Sequence, residues 1–267
     1  MAFPKHAVII TAAGSSDRFN DQESSVKKEY LSIEGETVLW RATAPFITVP
    51  GCNAIIVTHP EGLEAECGIA LGDLLEQNQV PIILTPGGES RQSSVYNALS
   101  LLAKIDLEVE YVAIHDGARC FITPELIIQT LATATVFGGA APALPTIDTM
   151  KIIEENGLIV EHIDRTRSVG VQTPQIFRYP EIWEAHQAAS ALEKRFTDDT
   201  EIYSEAGYTV GVTPGSPENR KVTYQSDIPD AQEQIATYTE QRAEAEQKIQ
   251  ASERFHQALR EFKAEQS

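Results

Sequence analysis

The sequence predicts an α/β fold, a mostly parallel sheet with helices packed on both sides. Short apolar runs rich in β-branched residues recur at Val8-Ile9-Ile10, Ala54-Ile55-Ile56-Val57-Thr58 and Tyr111-Val112-Ala113-Ile114, each too short for a helix and suited to a strand covered on both faces. Helix-length stretches separate them. Loops of small or acidic residues follow several of these runs, where α/β sheets place their ligands.

The first strand, from His6 to Thr11, runs into Ala12-Ala13-Gly14-Ser15-Ser16-Asp17-Arg18-Phe19 and then Lys27-Lys28-Glu29-Tyr30-Leu31. Ala12, Ala13 and Gly14 put no bulk in the way of a ligand. Backbone N–H groups can therefore approach a triphosphate, which Arg18 and Lys28 can neutralise. The same tripeptide also suits a plain tight turn. Neither Gly-x-x-x-x-Gly-Lys-Ser/Thr nor Gly-x-Gly-x-x-Gly occurs in this loop, which disfavours a P-loop kinase or a standard dinucleotide dehydrogenase.

Spacing predicts a helix over Leu31–Pro45, a strand over Ala54–Thr58, a helix over Glu61–Gln77 with Leu63, Ile69, Leu71, Leu74 and Leu75 available for its inner face, and a third strand over Val80–Leu84. The loop Pro86-Gly87-Gly88-Glu89-Ser90-Arg91-Gln92-Ser93-Ser94 then opens into a helix, Tyr96–Lys104. Paired glycines permit close approach to a flat base, which Glu89 and Ser94 can read by hydrogen bonding; Gly-Gly is equally the mark of a turn. After the strand Tyr111–Ile114 comes His115-Asp116-Gly117-Ala118-Arg119. Asp116 can hold Mg²⁺ or a ribose hydroxyl, or form a turn ion pair with Arg119, and His115 reads as a packed histidine rather than a base.

Leu126–Ile147 carries no charge, but Gly138-Gly139, Pro142 and Pro145 divide it into a packed helix and a buried strand, Ala140–Leu144, rather than a membrane span. A further strand is expected over Asp148–Ile153, forming a hairpin around Asn156-Gly157 with Ile159–Ile163. Such an arm leaves edges that a second subunit would cover. Gln172–Phe177 leads into a helix holding Ile182, Trp183 and Ala185. Thr197 or Asp198 caps a helix over 201–205, and Tyr208–Val212 forms the last strand. Beyond Asp227 the composition is that of one or two helices. The expected organisation is a main domain over 1–235, with its β-arm at about 148–170, and a C-terminal helical extension over 236–267.

With 21 Lys and Arg against 39 Asp and Glu, the net charge is −18. That charge repels polymeric nucleic acid and anionic membranes, which are not expected partners, and an anionic substrate needs a local cationic pocket. Cys52, Cys67 and Cys120 form no Cys-x-x-Cys, which points to a reducing cytoplasm and no zinc site.

Taken in order, Ala12-Ala13-Gly14 with Arg18, Lys28-Glu29-Tyr30-Leu31, Gly87-Gly88-Glu89-Ser90-Arg91 to Ser94-Val95, His115-Asp116-Gly117-Ala118-Arg119, Asp148-Thr149-Met150-Lys151, Thr173-Pro174-Gln175, Phe196-Thr197-Asp198-Asp199 and Asn219-Arg220-Lys221-Val222-Thr223 resemble the motifs of the methylerythritol phosphate cytidylyltransferases over about residues 5–235. The resemblance implies a three-layer, Rossmann-like nucleotidyltransferase fold, Mg²⁺ dependence, a homodimer formed through the β-arm, and transfer of CMP from CTP to 2-C-methyl-D-erythritol 4-phosphate, a sugar-alcohol phosphate, in non-mevalonate isoprenoid synthesis. It further implies that Ala12, Ala13, Gly14, Gly88, Glu89, Ser94 and Gly117 hold CTP, and that Arg18 and Lys28 stabilise the transition state. Thr149, Arg165, Thr197 and Lys221 would position the acceptor. Three residues depart from the family's usual pattern: Thr11 and Lys27 stand where proline is usual, and Ser16 where glycine is common.

Competing readings are a ribitol phosphate cytidylyltransferase, which differs only in its acceptor, and an inactive paralogue that binds partners. A nucleotide-sugar glycosyltransferase is disfavoured because no two aspartates have the Asp-x-Asp spacing.

Overall fold

The computed structural model describes residues 3–19, 27–76, 80–192, 194–237 and 239–240. The extension expected over 236–267 therefore lies almost wholly outside the described residues.

In chain order the elements are β1 (His6–Thr11), β2 (Ser32–Ile33), β3 (Glu36–Thr37), α1 (Val38–Ile47), β4 (Cys52–His59), α2 (Glu64–Leu71), β5 (Ile82–Pro86), α3 (Arg91–Leu102), β6 (Tyr111–Asp116), α4 (Pro124–Phe137), β7 (Gly139–Pro145), β8 (Lys151–Ile153), β9 (Ile159–His162), β10 (Val169–Val171), β11 (Gln175–Arg178), α5 (Tyr179–Ser190), α6 (Asp199–Glu205) and β12 (Val210–Pro214). A helical segment follows at 227–237.

An eight-stranded sheet runs β5-β4-β1-β6-β11-β7, with β10 beside β11 on one edge of β7 and β12 on the other. β5, β4, β1 and β6 are mutually parallel, as are β7 and β12, while β11 and β10 run against their neighbours.

Strand alternation sorts β1 between two cores. Val8 and Ile10 pack with Leu39, Phe46, Leu71, Ile127 and Leu131 from α1, α2 and α4. Ala7 and Ile9 pack with Val95, Leu99, Ile182 and Tyr203 from α3, α5 and α6. These four β1 side chains are fully buried, each of the larger ones worth about 1.5–3 kcal/mol of transfer free energy. The result is the expected three-layer mostly parallel α/β architecture.

Several boundaries differ from expectation for local reasons. The helix read from Leu31 begins only at Val38, because β2 and β3 form a hairpin whose turn residues Glu34 and Gly35 both take positive φ, +51° and +90°, as a two-residue type I′ turn requires. Thr37 then caps α1 by accepting from Trp40 N–H. α2 ends at Leu71, since Gly72 (φ +55°) turns the chain. Ile69 and Leu75 are exposed rather than inward, and Cys67 and Ala70 take their place in the core. α3 starts five residues earlier than expected, at a capping box in which Ser90 and Ser93 exchange hydrogen bonds. Gln172–Phe177 leads into a helix as expected, passing through the cis Thr173–Pro174 bond and β11, and α5 holds Ile182, Trp183 and Ala185; the short strand β10 before it had no sequence signal.

The division of 126–147 into α4 and β7 holds, with Gly138 (φ +91°) between them. Among the described residues no helix is long and apolar enough to cross a membrane. The arm hairpin also holds, its five-residue loop turned by Gly157 (φ +83°) and by Asn156 Oδ1 accepting from Leu158 N–H. All three cysteines are unpaired.

Candidate active site

A cavity of about 730 Å³ opens at the carboxyl ends of β5, β4, β1 and β6. The chain builds outward from β1 through β4 to β5, then crosses to place β6 on the other side of β1. The boundary between β1 and β6 is therefore the topological switch point, where crevices form in such sheets. The loop after β1 and Asp116 at the end of β6 flank it.

Five cationic side chains and four acidic ones line the cavity, in a chain whose acids outnumber its bases almost twofold. Arg18, Lys28 and Lys221, expected to act together, all face it. Arg18 is exposed with no ion pair to a described residue. Lys28 is buried, and burial lowers the pKa of its ammonium against the opposing pull of Glu29. Its neighbour Lys27 donates to Gly14 C=O and lies 3.4 Å from Glu29, so both lysines of the pair line the cavity.

Asp116 is the hub. Its Oδ1 accepts from Arg91 Nε at 3.1 Å and its Oδ2 from Lys221 Nζ at 2.7 Å. Arg119 Nε stands at 4.0 Å, so the turn pair exists but is the loosest of the three. Burial alone would raise this carboxyl, but Arg91 and Lys221 hold it well below the usual carboxylate range. His115 is packed away as expected: burial pushes its pKa down to about 3. Arg119 C=O can only accept, so the neutral His115 donates to it from Nε2–H and its Nδ1 accepts from the Thr173 hydroxyl, which in turn accepts from Asp116 N–H.

Lys221 reaches Asp116 because its loop is stitched to the loop after β6. Val222 N–H donates to Ala118 C=O, Arg119 Nη1 donates to Asn219 C=O, and the buried Asn219 side chain donates to Thr173 C=O.

Among the expected nucleotide contacts, Ala13, Gly14, Gly88, Glu89 and Ser94 line the cavity. Ala12 does not: it is buried and its N–H is bonded to Thr58. Gly117 packs under the loop, where a Cβ would come within 3.1 Å of Thr11 C=O. Ser94 hydroxyl donates to Ser90 C=O and accepts from Gly88 N–H, so it shapes the loop it lines. Thr149 and Arg165 are exposed, Arg165 donating to Ile147 C=O at 3.4 Å, and neither lines the cavity of its own chain. Thr197 is also exposed and outside it, its N–H and hydroxyl both bonded to Glu201, while Asp198 caps α6.

Sequence patterns alone assign no role to Arg91 or Asp199. Arg91 is the first residue of α3, where the positive end of the helix dipole disfavours a cation. That mismatch was a readable sign of a specific anionic partner.

A Mg²⁺ ion would fit this donor set only in its common mode, one or two carboxylates plus substrate phosphates. Asp116 is the suitably placed carboxylate and would hold such an ion together with substrate phosphates. Among the described residues no group of three or more His, Cys, Asp or Glu could cage a metal.

The family model for 2-C-methyl-D-erythritol 4-phosphate cytidylyltransferase matches residues 6–237. The chain is 37% identical to the enzyme of that name from Caldanaerobacter subterraneus over 83% of this chain and 95% of the relative. It is 39% identical to a bifunctional IspD/IspF enzyme from Rhodopseudomonas palustris over 84% of this chain, spanning 54% of that longer protein. Among solved structures it resembles 4-diphosphocytidyl-2C-methyl-D-erythritol synthase from Anaerococcus prevotii, with TM-score 0.74 and 26% identity over 87% of this chain and 96% of the other. The 2-C-methyl-D-erythritol 4-phosphate cytidylyltransferase from Thermus thermophilus gives TM-score 0.67 and 26% identity over 85% and 98%.

Proposed function

The chain belongs to the 2-C-methyl-D-erythritol 4-phosphate cytidylyltransferase family and is a cytidylyltransferase, and we propose that it transfers CMP from CTP to 2-C-methyl-D-erythritol 4-phosphate, releasing diphosphate, in non-mevalonate isoprenoid biosynthesis. The observation that carries this reading is the convergence of Arg18, Lys28 and Lys221 on one cavity at the sheet's switch point.

The acceptor phosphate is already an anion at neutral pH, so attack on the α-phosphorus needs neither a general base nor a covalent nucleophile. The barrier is electrostatic: two polyanions must meet, and charge grows on the α-phosphate as diphosphate leaves. Fixed cations aimed at that charge are the main tool. Arg18 and Lys28 serve the triphosphate, and Lys221 draws the acceptor's phosphate to the same point. Ala13 and Gly14 leave room for the phosphates, with Ala12 and Gly117 setting the loop from beneath. Gly88, Glu89 and Ser94 receive the cytidine. Mg²⁺ bound with the triphosphate would face Asp116 and offset phosphate charge.

Thr149, Arg165 and Thr197 serve the acceptor in a homodimer, with the arm of one subunit reaching the other's cavity. Support comes from the arm itself, whose Ile153, Leu158, Ile159 and Val160 are more than half exposed on a two-stranded pair. Such a pair is marginal alone in water. Unpaired cysteines support a cytoplasmic setting.

The test is diphosphate release from CTP and Mg²⁺ with each of two acceptors. Turnover with methylerythritol phosphate is expected. Turnover with ribitol phosphate alone would reassign the acceptor, and none with either would favour an inactive paralogue.

A further inference from the structure

A buried line of charge reaches the cavity from behind. Asp199, the first residue of α6, is fully buried. Its Oδ2 accepts from Arg91 Nη1 at 2.6 Å and its Oδ1 lies 3.0 Å from His186 Nε2, a side chain of α5 that is itself 1% exposed. Gln175 of β11 fixes the approach, accepting from Asp199 N–H and donating to the Asp198 carboxylate. From the other edge of the same guanidinium, Nε binds Asp116. One planar group thus joins a carboxylate sealed between helices to the carboxylate at the centre of the cavity.

We infer that Arg91 is a positioning residue for cytidylyl transfer: anchored by Asp199 and His186, it fixes the Asp116 carboxylate in the orientation that Lys221 and the nucleotide meet. The inference rests on the reaction proposed above.

Stability alone does not account for the arrangement. Apolar side chains of similar volume commonly replace buried ion groups with no loss of stability, and Arg91 Nη2 is buried with no partner among the described residues, a cost that a purely structural bridge would shed. Position on α3 adds to this, because the helix dipole opposes a cation there. What the bridge secures is the carboxylate. With Oδ1 held by Arg91, Asp116 cannot turn freely about its side-chain bond, so Oδ2 stays directed at Lys221. A lysine at 91 would supply a point charge but not a fork with separate edges for two carboxylates.

The experiment is a double-mutant cycle on the full-length enzyme with CTP, Mg²⁺ and methylerythritol phosphate, using R91K, D116N and R91K/D116N, with thermal midpoints alongside. R91K is expected to lower kcat by about tenfold to a hundredfold, as loss of a supporting hydrogen-bond partner does elsewhere, with the acceptor KM little changed. In the D116N background the same change should cost almost nothing further. Losses that multiply, or an R91K enzyme with wild-type kcat, would overturn the inference. Should R91K fail to fold, D199N decides by the same rule: it loosens the anchor and leaves the Arg91–Asp116 pair, so its loss in kcat should also vanish in D116N. A wild-type enzyme inactive with either acceptor would instead sink the proposed reaction.

Discussion

Lys221 Nζ stands 2.7 Å from Asp116 Oδ2, joining residues 105 positions apart at the mouth of the cavity. The pair is not needed to keep Asp116 ionised, since Arg91 holds the other carboxylate oxygen and Arg119 stands nearby. K221A should therefore leave the fold intact while removing a preorganised cation. Its kcat is expected to fall on the order of a hundredfold, with a thermal midpoint within a few degrees of wild type. Steady-state kinetics and calorimetry check both halves, and a collapse in stability that matched the activity loss would contradict this reading.

Buried histidine gives the protein an acid limit. Burial lowers the pKa of His115 to about 3, and it lowers that of His6 too, so both take up protons less readily in the fold than in the unfolded chain, where histidine titrates near pH 6.5. The unfolded state then binds more protons as pH falls. Stability is full above about pH 7 and declines between about 6.5 and 3, by up to about 1.4 kcal/mol per pH unit for His115. Asp116, held well below 3.8, adds a further loss that begins as pH falls below about 4. Urea titrations from pH 7.5 to 4.5 should show the slope, and H115Q, if folded, should flatten it.

Two glycines in the cavity loops make opposite demands. A Cβ on Gly87 would lie 2.2 Å from Ala13 Cβ and 2.8 Å from Ser94 Oγ, whereas one on Gly14 meets nothing within 4 Å. G87A should push the two loops apart, costing about 1–3 kcal/mol and weakening CTP binding. G14A should leave the thermal midpoint almost unchanged and weaken CTP binding alone, because the space it fills is the ligand's. Equal destabilisation by both would show that Gly14 is also a packing residue.

Local signals made much of this legible. The β-branched run before Ala12-Ala13-Gly14 located β1 and its loop, and Asn156-Gly157 located the arm. Because Asp116 follows a strand, its place at the crevice could be read directly. The Arg91–Asp199–His186 line could not be read so directly, since it joins α3, α6 and α5 through side chains up to 108 positions apart. β10 and β11 escaped for a different reason. β10 is a three-residue edge segment, all exposed, without a buried face to produce alternation, and β11 has three consecutive buried residues. Glu34-Gly35 is a weaker hairpin mark than Asn-Gly, so the sequence pattern extends the following helix back over β2 and β3.

Ser16 carries a backbone cost at the centre of the site. Its φ is +62°, in the left-handed region that costs an L residue about 1–2 kcal/mol. In partial compensation, Ser16 hydroxyl donates to Glu29 Oε2, but at 3.3 Å, near the limit of a useful bond. Glycine would relieve the strain and give back about 0.5–1 kcal/mol through the greater freedom of the unfolded chain. The balance favours S16G by about 0.5–1 kcal/mol, a rise of about 1–3 °C in thermal midpoint for a domain of this size. Scanning calorimetry of S16G and S16A separates the contributions: S16A keeps the strain and loses the hydroxyl, so it should melt below wild type while S16G melts above it. S16G and S16A melting together, both below wild type, would mean that the hydrogen bond to Glu29, not the backbone, governs this loop.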